Sequence, residues 1–492
     1  MTGAQALIKR IFLTSAAALL LLAAVMIGRA FMLPGSAASP QTPRAFGSAA
    51  QNGAVAARLA EAIRFATISH GDGRAPEAAA FEGFAAFLTQ RYPAAHSAMT
   101  REQVGHSLLY RWPGTGADAP VAFLAHLDVV PVEPGTQDQW TYPPFEGVVA
   151  DGFVWGRGAM DDKGHLIALM EAAEQLAASG FRPSRDIYFL FGHDEEIGGP
   201  EGATAMRRLL DERGVRFEWT LDEGSGLVAG IIPRIDSPIA LIAVAEKGSI
   251  TLKFTATAPG GHSSAPGKDT AVSLVARAVV AVNDHPYPLV IDSGMAAFLK
   301  AVAPQLSFGE RVLLANLWLT GPIVAQSLGK SPTTAAALRT TTAPTIIDGG
   351  VKANILPQTA SAVVNYRIHP RDSVASVMAR ATALIGDPRV SVESQGGAEP
   401  SPVSSSTSDG YRAMAETTAE IFGPLPIAPF LTLQGTDTRH YVGAADGHYR
   451  FTPFIYEPDD LRRIHGTDER VRIGDIVRGA AWYEALIRRV AG

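Results

Sequence analysis

Two apolar runs in this sequence have the composition of strands that are buried on both faces of a sheet. They are VAFLAHLDVV, residues 121–130, and DIYFLF, residues 186–191. The segment HLIALMEAAEQLAASG, residues 165–180, lies between them and has the periodicity of an amphipathic helix that ends at a glycine. Apolar strands that alternate with helices are typical of sheets covered by helices on both faces. The sequence therefore predicts an α/β fold.

Acidic residues and histidines follow apolar segments at four places. These are HLD (126–128), GRGAMDDKG (156–164), HDEEIGG (193–199) and LDEG (221–224). Taken singly, an HxD pair is more often a surface turn, and an aspartate before a helix is more often an N-cap. In an open α/β sheet, however, the carboxyl ends of the strands meet at one crevice. Many carboxylates with few histidines favour a pair of hard or borderline cations over a closed structural zinc site.

The run Asp194, Glu195, Glu196 either lies in water or needs a positive partner, because adjacent carboxylates repel and are costly to desolvate. The chain has no cysteine, which excludes disulfides and thiolate ligands, so His, Asp and Glu must hold any metal. A net charge of -6 argues against a nucleic-acid partner, which would require a basic face.

The N-terminus predicts a membrane anchor. Residues 11–28 carry no charge, and as a helix they would span about 27 Å, close to the thickness of a bilayer core. Lys9 and Arg10 precede the run and place its start on the cytoplasmic side. The catalytic body is then extracytoplasmic, either periplasmic or extracellular. A cleaved signal peptide and a secreted protein form the alternative.

The remaining chain divides by its pattern. Residues 34–53 are rich in Pro, Gly and Ser and predict a flexible linker that follows the anchor of residues 1–33. From residue 246 to 396 the order βαββαβ predicts a small α+β domain, with strands in KGSITLKFTATA, KANILPQTASAVVNYRI and RVSVES. A loosely patterned stretch, residues 285–345, lies inside it. The inserted domain interrupts a catalytic domain predicted at residues 54–245 and 397–492.

The ordered motifs AHLD, GRGAMDDKG, DEEIGG, LDEG, GGHSSAP and RIHG closely resemble those of the M20 metallopeptidases. Within that family the sequence is most similar to the carboxypeptidase S branch, which includes secreted N-acyl-amino-acid hydrolase/synthase relatives. The resemblance covers roughly residues 55–490. It implies a zinc-peptidase (phosphorylase/hydrolase-like) α/β domain interrupted by a dimerisation or lid domain.

The resemblance also implies two zinc ions per subunit and a set of ligands for them. His126 would bind the first ion, Asp161 would bridge both, and Glu196 and His465 would bind the second. The remaining ligand of the first ion is implied to be either Asp222 or Glu223, and the sequence does not decide between them.

Further roles are implied by the same resemblance. Asp128 would support His126, and Glu195 would be the general base. His262 would reach the active site of a dimer partner and stabilise the oxyanion. Asn354 and Arg367 would contact substrate, the arginine being suited to a terminal carboxylate, although a buried structural arginine is the alternative.

Five neighbouring residues receive other interpretations. His193 and His440 have no matching family role and are predicted to be structural, and Asp162 is predicted to support the ligands rather than bind. Asp437 and Arg439 resemble an active-site loop of this branch.

The expected activity is hydrolysis of an amide next to a free carboxylate in a short peptide, by a carboxypeptidase. An N-acyl-amino-acid amidohydrolase or synthase would use the same metal site and is the second interpretation. A membrane-tethered binding protein on the same fold is a third, and it would be marked by a missing base or ligand, none of which is missing from the sequence.

Overall fold

The computed structural model describes residues 3–33 and 48–492. Its strands are β1 (Thr100–Val104), β2 (Ser107–Trp112), β3 (Val121–His126), β4 (Val148–Ala150), β5 (Phe153–Trp155), β6 (Ile187–Gly192), β7 (Phe217–Val228), β8 (Ile239–Glu246), β9 (Gly248–Thr257), β10 (Gly261–His262), β11 (Thr341–Gly349), β12 (Ile355–Leu356), β13 (Thr359–Ile368), β14 (Val390–Ala398), β15 (Ile427–Thr432), β16 (Ala445–Tyr456) and β17 (Arg470–Arg472).

Its helices are α1 (Gly3–Met32), α2 (Ala49–Ile63), α3 (Ala78–Arg91), α4 (Pro93–Ala98), α5 (Lys163–Ala178), α6 (Ala203–Glu212), α7 (Ala271–Asn283), α8 (Ser293–Val302), α9 (Phe308–Ala315), α10 (Leu317–Leu328), α11 (Pro332–Ala336), α12 (Val374–Ile385), α13 (Asp409–Phe422), α14 (Asp460–Arg463) and α15 (Ile473–Ala491).

The larger sheet is mixed, with the strand order β1-β2-β6-β3-β7-β16-β8-β15. Strands β3, β6, β7 and β16 run parallel to one another at its centre, while β2 is antiparallel to β6 and β8 is antiparallel to β7. The carboxyl ends of β3 and β6 therefore lie side by side, with His126 opposite Gly192. This edge carries the first and third of the acid- and histidine-bearing motifs.

Both faces of this sheet are covered, as the sequence predicts. Alternation along β3 sends Phe123 and Ala125 into a core shared with α2, α5 and α15. The intervening Ala122 and Leu124 pack into a second core beneath α6. Because β3 is buried along its whole length, its side chains show no polar alternation.

A second sheet, with the order β11-β13-β9-β14, is formed by strands between residues 248 and 398. Its buried side chains pack with those of α7 and α12 in a core of their own. The expected strand over KANIL is reduced to the two residues of β12, and β11 pairs with β13 instead. Pro344 lies in β11 next to a register shift, and proline is tolerated there because β11 is an edge strand.

The loosely patterned stretch between residues 285 and 345 contains the four short helices α8–α11. Asp292 and Ser307 cap the first two of them, each accepting a hydrogen bond from a backbone N–H of the first turn. Local capping therefore specifies helices that the apolar periodicity alone did not reveal.

In the N-terminal helix α1, the segment Lys9–Met32 is long and apolar enough to cross a membrane, judged by length and composition. The most apolar part of this segment is not buried in the protein. Most of the expected linker, residues 34–47, lies outside the described residues. Helix α2 begins at Ala49, earlier than the predicted linker end at residue 53, because Ser48 and Gln51 form a capping box.

Candidate active site

His126, Asp161, Glu196 and His465 lie together at the carboxyl edge of the larger sheet. The Nε2 atom of His126 is 2.9 Å from Oδ1 of Asp161. The Nε2 atom of His465 is 3.1 Å from the other oxygen, Oδ2, and 3.2 Å from Oε2 of Glu196. One carboxylate thus joins two histidines that are far apart in the chain.

Asp128 organises the side of the site formed by β3 and β6. Its carboxylate accepts the backbone N–H groups of Glu195 and Glu196, at 3.2 and 3.1 Å. The Nδ1 atom of His126 lies 3.0 Å from the Asp128 carbonyl oxygen and 3.3 Å from its Oδ1. With Nδ1 held in this way, Nε2 is directed toward Asp161.

Glu195 and Glu196 begin a short 3₁₀ turn directly after β6 and point in different directions. Oε2 of Glu196 faces His465, whereas Oε1 of Glu195 is 3.5 Å from the Arg439 guanidinium. Oε1 of Glu196 is buried and has no hydrogen-bond partner among the described residues.

Burial, neighbouring charges and hydrogen bonds shift the pKa values of several groups in this cluster. Burial and the charge of Asp161 raise the pKa of Glu196 to about 7. Burial also raises the pKa values of Glu195 and Glu223 well above their usual range. Hydrogen bonds to Asp161 and Glu196 raise the pKa of His465 to about 10.

Asp222 and Glu223 lie inside β7, which continues beyond them to Val228. Strand alternation directs their side chains to opposite faces, so both cannot meet the same ion. The Asp222 carboxylate accepts the N–H of Glu223 at 2.9 Å and both the N–H and the hydroxyl of Thr438 at 2.8 Å. Burial, followed by the charges of Asp161 and Asp162, raises the pKa of Glu223.

A buried ion pair that sequence reasoning missed fixes two parts of the site to each other. Arg157 Nη1 is 2.7 Å from Oε2 of Glu469, and both side chains are almost fully buried. Oε1 of Glu469 accepts the N–H groups of Met160 and Asp161, and Arg157 Nη2 donates to the His465 carbonyl. The pair therefore positions Asp161 and His465 together, although their loops lie far apart in the sequence.

The loop that carries Asp437 and Arg439 closes over the end of β6. A Cβ atom on Gly192 would lie 2.3 Å from Oδ2 of Asp437, and one on Gly199 would lie 2.7 Å from Oδ1. The glycines on either side of the acidic run are therefore needed for the close approach of this loop. Thr438 holds the same loop to Asp222.

The sequence of residues 122–489 matches the profile of peptidase family M20/M25/M40. The chain belongs to this family. It is 38% identical over 445 residues to "Probable carboxypeptidase S-like 2" of Dictyostelium discoideum, with 88% of this chain and 84% of that protein covered. It is 35% identical to "N-fatty-acyl-amino acid synthase/hydrolase PM20D1" of Mus musculus, with 85% and 84% covered.

Solved structures share the M20 fold. The M20 family metallo-carboxypeptidase Sso-CP2 from Sulfolobus solfataricus superposes with a TM-score of 0.64 at 18% identity, covering 88% of this chain and 98% of that one. Human carnosine dipeptidase 1 gives a TM-score of 0.59 at 16% identity, covering 90% and 96%. The chain is therefore an M20 metallohydrolase, and its α/β fold is that of the family.

The residues of this M20 site fit a metal ion. One ligand atom each from His126, Asp161 and Glu196 lies within 4.8 Å of the others. The unpartnered Oε1 of Glu196 is costly to bury unless something positive meets it. Imidazole nitrogen and carboxylate oxygen, in the absence of cysteine, are ligands that zinc accepts.

Four neighbours of the cluster bond to other parts of the protein. Asp162 accepts the N–H of His126 and bonds to His165, both at 3.1 Å. Asp194 is buried and accepts two backbone N–H groups, from Glu201 and Gly202. His193 bonds to Ser107 at 2.7 Å, and His440 lies 3.1 Å from Thr204 and 3.0 Å from the Gly198 carbonyl.

The remaining predicted residues lie on or beside the second sheet, and among the described residues no hydrogen bond or ion pair joins them to the cluster of His126, Asp161, Glu196 and His465. His262 is exposed in β10, where its Nδ1 atom is 2.7 Å from the Ser264 hydroxyl. The carbonyl of Asn354 accepts the N–H of Ser263 at 3.1 Å, which places Asn354 beside His262. Arg367 is exposed in β13 and so is not a buried structural arginine.

Proposed function

We propose that this protein is a di-zinc amidohydrolase that cleaves amide bonds next to a free carboxylate. The observation that carries the proposal is the buried, unpartnered oxygen of Glu196 within a cluster of histidine and carboxylate ligands. His126, Asp161 and Glu223 would hold one ion, and Asp161, Glu196 and His465 the other. Asp222 is left out because backbone and hydroxyl donors already occupy its carboxylate.

Zinc bound at this site would lower the pKa of the attacking water toward about 7 and polarise the scissile carbonyl. Glu195 is the general base, which accepts the proton of that water and returns it to the leaving amine. Its position suits this role, because the side chain is only 12% exposed and its backbone is held by Asp128. Arg439, 3.5 Å away, adds a positive charge beside the base.

Dimerisation through the second sheet would complete the site. Strand β11 is an edge strand and exposes the apolar residues Ile346 and Ile347, which favours pairing with a second copy. His262, which has no recorded contact with its own metal cluster, would then reach the partner's site and stabilise the oxyanion. Asn354 beside it and the exposed Arg367 would bind the substrate carboxylate.

A carboxypeptidase acting on short peptides is the first candidate. A largely apolar cavity of about 220 Å³, whose lining also includes Asp292 and Arg371, favours a second candidate, an N-acyl-amino-acid hydrolase or synthase. Met295, Phe298, Phe430 and Leu431 line this cavity. The next residue, Thr432, donates to the Gly224 carbonyl directly after Glu223, so the cavity wall is bonded to the strand that carries Glu223. An acyl chain would fill such a space better than a polar peptide would.

The exposed apolar surface of α1 supports a single-pass anchor, with the hydrolase outside the cytoplasm. Cleavage and secretion form the alternative. An intact N-terminus on the membrane-extracted protein, measured by mass spectrometry, would support the anchor.

The test of the enzymatic proposal combines metal analysis with a substrate panel. Purified protein should contain two zinc ions per chain and hydrolyse dipeptides or N-acyl amino acids, and the ratio of their kcat/KM values identifies the substrate class. Glu195→Gln should retain both ions and lose about 10²–10⁴-fold in kcat. Glu201→Gln, an exposed acid of the same loop, is the matched control and should retain activity. Near-normal turnover by Glu195→Gln at full zinc content would reject the assignment of the base.

A further inference from the structure

The last two turns of α1 are docked on helices α9 and α10. The Asn316 side-chain amide donates to the Met26 carbonyl at 3.0 Å, and Arg29 Nε donates to the Ala315 carbonyl at 3.3 Å. Arg311 donates to the Leu33 carbonyl at 2.6 Å. Ala30 is fully buried at this contact, unlike most of the helix before it. The apolar helix is thus joined to the hydrolase body by α9 and α10.

Helices α9 and α10 expose large apolar side chains beside this contact. Trp318 is 61% exposed and Ile323 is 65% exposed. Leu319 is also exposed, four residues before Ile323 and therefore on the same face of α10. The opposite face of α10 is buried through Thr320 and Val324. We call the exposed apolar residues of these two helices the apolar face: Phe308, Leu313, Trp318, Leu319 and Ile323. The surface of a soluble protein rarely concentrates such residues in two short helices.

The position of the contact along α1 sets the height of this face relative to a bilayer. The apolar segment ends at Met32, and the contact extends from Met26 to Leu33. At about 1.5 Å per residue, these turns cover the last ~10 Å of the helix. The headgroup region occupies about 5–7 Å on each side of the hydrocarbon core, so α9 and α10 would lie at this boundary. Tryptophan is enriched at that level of membrane proteins.

We propose that the apolar face is a membrane-contact surface that inserts into the interfacial layer of a phospholipid bilayer beside α1. This inference rests on the anchor included in the proposed function. The occupant is lipid, because the face adjoins a helix whose other exposed side chains also require an apolar environment. Insertion of about 5–10 Å, as for interfacial helices, would bury the Trp318 ring. The hydrolase would then be fixed in orientation against the membrane and not free on a flexible tether.

Trp318 itself provides the probe. The sequence contains six tryptophans, and the other five are buried. The full-length protein is reconstituted in phosphatidylcholine vesicles containing lipids brominated either high or low on the acyl chain. The bromine-dependent loss of fluorescence is measured in the wild type and in Trp318→Phe. The difference between the two losses is the quenching of Trp318 alone. We expect strong quenching of Trp318, greater with the bromines high on the chain than low.

A second tryptophan separates the surface from the anchor. Leu20 is exposed at the middle of α1, and Leu20→Trp in the Trp318→Phe background should be quenched most by lipids brominated low on the chain. If this variant is quenched and Trp318 is not, the membrane-contact surface is rejected and the anchor stands. If neither is quenched, the anchor fails and the surface fails with it. The double variant Leu319→Glu/Ile323→Glu places charges on the apolar face and should reduce the quenching of Trp318. Unchanged quenching in this variant would also overturn the proposal.

Discussion

The replacement Glu469→Gln tests whether one buried ion pair assembles the two distant halves of the site. The change keeps the side chain's shape and one oxygen for the N–H groups of Met160 and Asp161. It removes the charge opposite Arg157, whose guanidinium lies 2.7 Å away and is 2% exposed. The structural consequence is a buried arginine without a counter-ion.

The loss of stability expected for Glu469→Gln follows from the burial of Arg157. Breaking a buried pair by removing one partner typically costs about 3–5 kcal/mol, because the remaining charge is neither solvated nor paired. The pair between Glu102 and Arg213, whose side chains are 43% and 44% exposed, provides a matched control with the same chemistry. Water screens this second pair, so Glu102→Gln should cost about 0–1 kcal/mol. The difference between the two variants measures the effect of burial.

Urea unfolding of the metal-free protein in detergent provides the free energy of unfolding for each variant, and zinc titration provides its metal affinity. Glu469→Gln should lose both stability and zinc affinity, since Asp161 and His465 depend on the pair. The double change Arg157→Met/Glu469→Gln should recover part of the stability, because no unpaired charge remains. A loss of less than about 1 kcal/mol in Glu469→Gln would refute this reasoning.

Three further predictions concern the metal and the dimer. Glu223→Gln should lower the zinc content measured by elemental analysis, whereas Asp222→Asn should retain zinc; the reverse result would exchange their roles. Chelation of the wild type should abolish turnover and lower the melting temperature, because bound metal stabilises the folded state, and an unchanged melting temperature would contradict a resident ion. Ile346→Lys/Ile347→Lys should produce monomers in light scattering and a lower kcat, and a fully active monomer would exclude a role for His262 of a partner subunit.

The sequence alone located much of the candidate site because its motifs follow strands. His126 closes β3, and Glu195 and Glu196 follow β6, so adjacent parallel strands bring them together. His465 could be assigned only through resemblance, since it lies in a loop after α14 with a φ of +61°. No strand pattern indicates such a position.

Other features of the fold and the site have no recognisable pattern in the sequence. The ion pair of Arg157 with Glu469 joins two loops that are far apart in the sequence. It could not be predicted, because the sequence does not distinguish a buried charged residue from an exposed one. The extent of β7 is also not evident from the sequence, because Gly224 and Gly226 are poor strand formers, whereas pairing with β16 continues the strand through them. Strand β11 was missed because Pro344 interrupts it, which only an edge position allows.

Eight acids of the site fall into two groups according to what meets their oxygens. The four aspartates Asp128, Asp162, Asp194 and Asp222 all accept backbone N–H groups. No backbone donor to the side chains of Asp161, Glu195, Glu196 or Glu223 is recorded in the described part of the chain.

The first group therefore builds the framework, because its charges are already stabilised by hydrogen bonds. The second group has charges that only histidine, arginine or a metal can compensate. Three of its four members are glutamates, whose longer side chains carry the carboxylate away from the backbone. This division explains how Asp194, Glu195 and Glu196 can be adjacent: one holds a loop, and the next two face the crevice where the proposed cation and reacting water would bind.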